Sequence, residues 1–328
     1  MLLGQNGIAV KKIFESYEKE LALVEENLLK LFESKVFLIP LIGRYLVEGG
    51  GKRMRPLFLL ISARLAGYRG LDSIPLAGVI ESIHTASLLH DDVVDGADLR
   101  RGRATAHSLW GNEVVILVGD FLYSNALRRT VSFNNIKLVE AVSYAVNAMT
   151  EGELLQLEKS GDIEITEEQY LKIIASKTGV LISAACRIGG ILGGVSPERE
   201  EALARFGHKA GITFQMADDI LDYGAQANGG FGKKLGKDLE EGKITLPLLY
   251  LIREASERDE IKSIVGSPSE EGLKRIIELF RNYDVLPKAL RKAHALLKEA
   301  KEELSLFEDS PEKHDLLALA DYALQREF

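Results

Sequence analysis

Apolar residues recur at helical spacing along most of this chain, and the pattern predicts an all-α protein. In residues 9–33, for example, Ile13, Tyr17 and Leu21 begin an apolar stripe on one side of an amphipathic helix. Only 8 prolines occur, and no stretch keeps the alternating pattern that marks strands. No Pro/Ser-rich linker divides the chain. We therefore expect residues 1–328 to form one domain, a bundle of about a dozen helices.

Two of the predicted helices, residues 74–95 and 197–223, carry acidic clusters of the same design. Each cluster has an Asp-Asp pair and a third aspartate one helical turn after the first. We name Asp91, Asp92 and Asp95 the first acidic cluster, and Asp218, Asp219 and Asp222 the second acidic cluster. Aspartates one turn apart share a helix face, where their charges repel unless cations lie between them. Mg²⁺ suits this role because it binds a few carboxylates and completes its coordination with water and phosphate oxygens.

A solvated acidic helix end is the alternative interpretation of one such motif, because short motifs often arise by chance. Two features favour a metal site instead. The apolar run at residues 83–89 leads directly into the first acidic cluster, so we expect its helix to be largely buried. The second acidic cluster repeats the motif far along the chain, on a different helix. Two such helices facing each other across a cavity would hold several Mg²⁺ ions and a diphosphate between them.

The composition argues against several other kinds of protein. With 46% hydrophobic and 27% charged residues the chain is typical of soluble globular proteins, and its net charge of −8 argues against nucleic acid as a main partner. Cys186 is the only cysteine, which excludes an intramolecular disulfide and argues against a cysteine zinc site. No run approaches the ~20 apolar residues that span a bilayer, and the N-terminus is not built like a signal peptide. We expect a cytoplasmic protein without a transmembrane segment.

Glycines and helix breaks mark three polar segments beside these helices. Gly49–Gly51 breaks the chain before the basic run Lys52–Pro56, and Ser176–Gly179 interrupts a helical pattern that then resumes. Residues 224–237 contain five glycines and two adjacent lysines directly after the second acidic cluster. We interpret this last segment as a mobile loop that closes over the site as a lid.

Several segments between residues 40 and 250 resemble motifs of the trans-polyprenyl diphosphate synthases, in the order of that family. These segments are Gly50–Pro56, Leu88–Asp95, Leu99–Gly102, Lys177–Thr178, Gln215–Asp222 and Gly236–Asp238. Through Ile83–Ser87 and Gly119–Tyr123 the chain is most similar to the long-chain octaprenyl and heptaprenyl type. The resemblance implies an isoprenoid-synthase-like bundle around a central cavity, which works as a homodimer.

The resemblance also implies a role for each acidic and basic residue of these motifs. The first acidic cluster would bind Mg²⁺ on an allylic diphosphate, and Asp218 and Asp222 would bind a further Mg²⁺ from the opposite wall, with Asp219 in support. Such a site would hold about three Mg²⁺ ions. The diphosphates would be held by Arg100 on the allylic side and, for isopentenyl diphosphate, by Lys52, Arg55, His84 and Arg101. The alternative for His84 is a buried histidine of the core.

Four further residues would act at the reacting centre according to the same resemblance. Lys177, Thr178 and Gln215 would lie where an allylic carbocation forms, and Lys237 on the lid would reach the diphosphate on closure. The alternatives are polar residues that satisfy a kinked helix, for Thr178 above all, and a solvated loop lysine for Lys237.

The expected reaction is the sequential head-to-tail (1′-4) condensation of isopentenyl diphosphate onto an allylic diphosphate, with farnesyl diphosphate the favoured primer. The growing tail would run along the helix before Asp91. Helix geometry puts Ser87 on the same face as Asp91, and the family resemblance assigns the tunnel wall to Ala86; both residues are small, and Phe121 or Leu122 are candidates for the floor. Because small side chains leave such a tunnel open, we expect all-trans products of about C30 to C50, with C40 favoured, for quinone side chains. Release of so apolar a product would involve transient membrane contact.

Two alternatives share parts of this pattern. A class I terpene cyclase is also all-α and uses an aspartate motif with Mg²⁺, but its second metal motif typically mixes Asn, Ser or Thr with Glu. A cyclase also needs no second diphosphate site of the Lys52/Arg55 kind. A non-catalytic subunit of a heteromeric prenyl synthase usually lacks one or both acidic motifs, and both are intact here.

Overall fold

The computed structural model describes residues 5–100, 102–224 and 236–325, and most of these residues are helical. The prediction of an all-α fold is therefore confirmed. The helices are α1 Gln5–Ser16, α2 Glu18–Lys30, α3 Leu38–Glu48, α4 Met54–Leu65, α5 Ser73–Val94, α6 Ala106–Trp110, α7 Asn112–Val131, α8 Ile136–Lys159, α9 Glu167–Ile174, α10 Val180–Gly193, α11 Pro197–Gly224, α12 Lys237–Glu240, α13 Leu246–Glu254, α14 Arg258–Gly266, α15 Glu270–Asn282, α16 Val285–Glu303 and α17 Pro311–Tyr322. A π-helical turn, Ala175–Gly179, joins α9 to α10, and a 3₁₀ turn, Leu304–Leu306, precedes α17.

Helix α5 lies at the centre of the bundle and carries the first acidic cluster at its C-terminal end. It packs against α2, α4, α7 and α10, so it is buried on most sides, as its continuous apolar run predicts. Helix α11, which carries the second acidic cluster, packs against α10 and α16. Close packing of α10 on α4 depends on Gly189, because a Cβ there would lie 2.6 Å from the Ser62 Cβ. These contacts fix α5 and α11 as opposite walls of an internal space.

The hydrophobic core continues from one end of the described chain to the other. One cluster of buried apolar side chains includes Val10 of α1, Leu122 of α7 and Leu324 after α17. Burial of this cluster removes a large apolar area from water, which is the main favourable contribution to folding. No helix in the described parts of the chain is long and apolar enough to cross a membrane.

The structure corrects several predicted boundaries. Residues 9–33 do not form one helix, because the backbone leaves helical angles at Tyr17 (φ −108°, ψ 11°), whose ring is buried beneath the Arg64 guanidinium. Although the sequence shows no strand pattern, a two-stranded hairpin follows α5, in which Leu99–Arg100 (β1) pairs antiparallel with Arg103–Ala104 (β2). Of the predicted lid, residues 225–235 lie outside the described residues.

Candidate active site

Two adjoining chambers separate α5 from α11. The larger chamber has a volume of about 1030 Å³, and the smaller chamber has a volume of about 470 Å³. They share the side chains of Arg55, His84 and Leu88 on one side and of Gln215 and Asp218 on the other. Residues from two helices far apart in sequence thus face one continuous space, the arrangement that the two acidic clusters predict.

The first acidic cluster lies where α5 ends. Asp91 lines the smaller chamber, and burial, followed by the negative charge of Glu153, raises the pKa of its carboxyl to about 6. Asp92 is 4% exposed and accepts a 2.8 Å hydrogen bond from Nε of Arg100 on β1. The hairpin therefore returns the chain so that a guanidinium faces this cluster. Asp95 closes the helix at its C-cap position and also lines the smaller chamber.

The second acidic cluster contains both exposed and buried carboxylates. Asp219 is 4% exposed, and its two oxygens accept hydrogen bonds from Tyr170 Oη (2.7 Å) and from Gln215 Nε2 (2.9 Å). Burial raises the pKa of Asp219 to about 6, although both donors favour its charged form. Asp218 lines both chambers, and Asp222 lines the larger one. This geometry suits a supporting role for Asp219 and leaves Asp218 and Asp222 to face a ligand.

The π-helical turn places Lys177 and Thr178 in the chamber wall. A single turn of this kind adds a residue to a helix and often occurs at functional sites. Lys177 Nζ lies 2.5 Å from Glu153 Oε2 and 3.0 Å from Gln156 Oε1, both on α8. Thr178 donates a 2.8 Å hydrogen bond to Gln215 Oε1. A chain of polar contacts therefore runs from Thr178 through Gln215 to the second acidic cluster.

The basic segment before α4 faces the larger chamber. Lys52 and Arg55 both line it, and Lys52 Nζ donates a 3.2 Å hydrogen bond to Tyr322 Oη at the end of the last helix. His84 lines both chambers and is half-buried, so it faces the space between the walls and is not enclosed in the core. Arg101, which we expected beside these residues, lies outside the described residues.

Lys243 and Asp238 at this site carried no role in our sequence interpretation, whereas Lys237 did. Lys243, after α12, lies 3.6 Å from Asp95 Oδ2 and 2.5 Å from Glu241 Oε2, and these two carboxylates raise its pKa despite burial. The backbone N–H of Asp238 donates to Asp222 Oδ2 at 3.3 Å. Lys237 is 54% exposed in its side chain and pairs with Glu241 at 2.8 Å. Lys243 follows no motif spacing, so sequence alone offered no signal for it.

Glu153 and Gln156 were also missed, although the sequence held a signal for them. They lie three positions apart on α8, so they share a helix face, and they interrupt its apolar pattern. Both contact Lys177, as described above. Two polar residues on one face of a helix that packs inward would have indicated a partner across the helix interface.

The four predicted chain-length residues lie at different depths. Ser87 lines the smaller chamber, but Ala86 is fully buried and is not among the residues that line either chamber in the described chain. Leu122 on α7 is fully buried, and Phe121 beside it is half-buried. Ser87 is thus the residue of this group that meets the space next to Asp91. The role of all four in product length stays a prediction.

The donor set fits Mg²⁺ that is bound together with a phosphate ligand. Within the described ranges, no group of three or more His, Cys, Asp or Glu side chains is arranged to hold a metal ion by itself. Mg²⁺ usually takes one or two carboxylates, keeps several waters and binds substrate phosphates. Carboxylates on two facing walls, with the pKa of Asp91 raised by burial and like charge, provide such a partial site.

Comparison with known proteins identifies the family. A model of the polyprenyl synthetase family matches residues 38–280. The chain belongs to the polyprenyl synthetase family. It is 40% identical to the octaprenyl diphosphate synthase of Escherichia coli (strain K12) over 323 residues, which cover 97% of this chain and 99% of that protein. The recognition of this family from sequence motifs is confirmed, and the protein is a prenyltransferase.

Solved structures of polyprenyl synthases have the same fold. A decaprenyl diphosphate synthase from Rhodobacter capsulatus superposes with a TM-score of 0.92 at 35% identity, covering 97% of this chain and 99% of that one. A polyprenyl synthase from Caulobacter crescentus CB15, complexed with calcium and isoprenyl diphosphate, gives a TM-score of 0.90 at 38% identity, covering 97% and 98%. The chain therefore spans nearly the full length of polyprenyl synthases that make or bind isoprenyl diphosphates.

Proposed function

We propose that this prenyltransferase elongates an allylic diphosphate, with farnesyl diphosphate the favoured primer, by sequential 1′-4 addition of isopentenyl diphosphate. The observation that carries the proposal is a shared space with acidic clusters on two walls and a separate basic segment, Lys52 with Arg55, on a third side. Two diphosphates need two such regions, one that binds through metal and one that binds through cationic side chains. The relatives named octaprenyl and decaprenyl diphosphate synthases support the same reaction.

The reaction breaks the C–O bond of the allylic diphosphate, and the bonding electrons leave with the diphosphate. The double bond of isopentenyl diphosphate then attacks the allylic carbocation, and a proton is lost from the newly added unit. Arg100 and Lys237 would stabilise the negative charge on the leaving diphosphate. The Thr178 hydroxyl and the Gln215 amide oxygen, which meet at 2.8 Å, would offer dipoles near the cation. Lys52, Arg55, His84 and Arg101 would hold the second diphosphate.

Mg²⁺ would be held by the first acidic cluster and by Asp218 and Asp222, about three ions in all. Bound there, it would neutralise charge on the diphosphate oxygens as the C–O bond breaks. Asp219 would keep Asp218 and Asp222 in place, since both of its own carboxylate oxygens are bonded to protein donors. Lys243, which lies between Asp95 and Glu241, would offset the charge of the cluster.

The product and the assembly belong to the same proposal. We expect all-trans products of about C30 to C50, with C40 favoured, because small side chains precede Asp91 and leave room for a long apolar tail. Exposed apolar side chains on α7 and α8, Leu117 (67%), Tyr144 (69%) and Leu154 (62%), support a homodimer through these helices. We further propose that residues 1–328 act as one cytoplasmic domain that contacts membranes transiently and supplies quinone side chains.

The test separates elongation from its two alternatives. The pure protein is incubated with Mg²⁺ and farnesyl diphosphate, with and without labelled isopentenyl diphosphate, and the dephosphorylated products are resolved by chromatography. Elongation requires both substrates and gives a ladder that ends at one main length. A terpene cyclase would consume farnesyl diphosphate alone, and a non-catalytic subunit would give no product in either mixture. Chelation of the metal provides the control, since it should abolish all labelled product.

A further inference from the structure

Arg53 lies inside the basic segment, between Lys52 and Arg55, and its guanidinium is bonded to other residues of the protein. Its backbone is left-handed (φ 48°, ψ 34°), an uncommon conformation for a residue with a side chain, and it stands at the N-cap of α4. Arg53 lines the larger chamber together with Lys52 and Arg55, yet it is only 9% exposed. An unfavourable backbone conformation of this kind persists only where surrounding contacts impose it.

The contacts that impose this conformation come from three helices. Arg53 Nη1 lies 3.0 Å from Glu81 Oε1 on α5, and Nε lies 2.8 Å from Glu25 Oε1 on α2. Nη2 donates to the Val47 carbonyl of α3 at 3.3 Å. Glu81 is 4% exposed, so its bond with Arg53 is a buried ion pair, while the side chain of Glu25 is 44% exposed. Although burial opposes the charge, Glu81 and Glu25 raise the pKa of Arg53, which keeps it cationic.

The buried carboxylate connects the basic segment to the helix that carries the first acidic cluster. Glu81 lies one turn before His84 on α5, and both line the larger chamber. The bond from Arg53 to Glu81 therefore fixes the segment against the same helix from which the acidic wall projects. A buried ion pair adds little stability over a well-packed apolar pair, but the planar fork of arginine fixes direction. Here the ion pair serves to orient the basic segment relative to α5.

We propose that Arg53 and Glu81 form a positioning pair that holds Lys52 and Arg55 at the right distance from α5 to receive the diphosphate of isopentenyl diphosphate. This inference rests on the proposed function. Arg53 and Glu81 also line the larger chamber, but the Arg53 guanidinium is bonded to Glu81, Glu25 and the Val47 carbonyl, so in this proposal the pair acts through Lys52 and Arg55. Loss of the pair lets the segment leave its left-handed conformation, which moves both cationic side chains and weakens one substrate site without touching the metal site.

The test is the variant Glu81→Gln, which keeps the size of the side chain and removes its charge. We expect KM for isopentenyl diphosphate to rise about tenfold, with KM for farnesyl diphosphate and kcat changed by less than about twofold. The matched control is Glu200→Gln. Glu200 is 8% exposed and holds two cations, Lys137 at 3.0 Å and Arg187 at 3.2 Å, but it lies outside the two chambers. We expect it to lower thermal stability without changing the ratio of the two KM values.

Two results would overturn the inference. One is that neither KM value changes in Glu81→Gln; the other is an equal rise of both KM values, as a general loss of stability would give. If Glu81→Gln does not fold, Arg53→Lys decides, because an ammonium keeps the charge but cannot reach Glu81, Glu25 and the Val47 carbonyl together. Arg53→Lys should raise the same KM selectively, and an unchanged ratio there refutes the pair. Failure of the proposed function is distinct, since the wild-type protein would then add no isopentenyl diphosphate.

Discussion

The hydroxyl of Tyr170 offers a sharp test of how the acidic wall of α11 is held. It is buried, as is Asp219, to which it donates a 2.7 Å hydrogen bond. Replacing Tyr170 with Phe removes this donor and leaves the ring in place, so no large cavity forms. One oxygen of a buried carboxylate then loses its partner, while Gln215 still bonds the other oxygen.

The expected loss of stability can be worked from this geometry. A hydrogen bond to a charged buried group contributes about 1.5–3 kcal/mol. For a chain of this length the unfolding entropy is about 0.7 kcal/mol per kelvin, so a loss of about 2 kcal/mol lowers Tm by about 3 °C. The same change should raise the Mg²⁺ concentration needed for half-maximal activity, because Asp218 and Asp222 lose their rigid support.

The pH dependence follows from the folded-state pKa of Asp219, which burial raises to about 6. A raised carboxyl pKa means that the folded state holds the proton more tightly than the unfolded state. The stability that this tighter proton binding contributes to the folded state is fully present below the pKa of the unfolded state and is lost as pH rises through about 6. The Tyr170 hydrogen bond favours the charged form, so Tyr170→Phe should lower Tm more at pH 7.5 than at pH 5.

Thermal unfolding followed by circular dichroism at both pH values is the assay, and Tyr283→Phe is the control. Tyr283 Oη donates to Glu257 Oε2 at the same 2.7 Å distance, but Glu257 is only half-buried, so water can replace the lost donor. The control should lower Tm less than Tyr170→Phe does and leave the Mg²⁺ requirement unchanged. If Tyr170→Phe and the wild type have equal Tm values at pH 7.5 and the same Mg²⁺ requirement, the hydrogen bond to Asp219 contributes neither to stability nor to metal binding.

Three further predictions concern substrates and product. Asp91→Ala or Asp218→Ala should lower kcat by about three orders of magnitude or more with the helical content preserved, and near-normal turnover in either would contradict a metal site on two walls. Arg55→Ala should raise KM for isopentenyl diphosphate more than KM for the primer; an equal effect on both, with lower Tm, would make Arg55 structural. Ser87→Tyr should shift the main product to about C15 or C20 in chromatograms, whereas Ala86→Tyr should mainly overpack the core and destabilise the protein.

The sequence predicts the helices and the acidic clusters well because both are local patterns. The apolar run at residues 83–89 and the aspartates after it need only the helical repeat to be interpreted, and the buried helix α5 follows. The interruption at Ser176–Gly179 likewise matches a local change of helix geometry, the π-helical turn. Predictions of this kind depend on residues within a few turns of one another.

The depth at which a side chain is buried and its partners on other helices could not be predicted in the same way. We expected both Ala86 and Ser87 at the tunnel wall, but only Ser87 meets a chamber, since adjacent helical residues point about 100° apart. Helix geometry alone puts Ser87 on the face of Asp91, but how deep Ala86 lies depends on how the neighbouring helices pack on α5, which no local pattern encodes. The same holds for Lys243, whose partner Asp95 is far away in sequence.

The cationic partners of the acidic walls also explain how one residue can serve both the protein and a diphosphate. Arg100 is assigned to the allylic diphosphate by resemblance, yet it already donates to Asp92 through Nε at 2.8 Å. A guanidinium has five N–H donors in a fixed fork, so a bond through Nε orients the rest of the group and does not exhaust it. Asp92 would therefore aim Arg100 at the proposed position of the phosphate oxygens. The pairing of Arg100 with Asp92 would thus orient the guanidinium for the ligand, and it also offsets the cost of burying the Asp92 carboxylate.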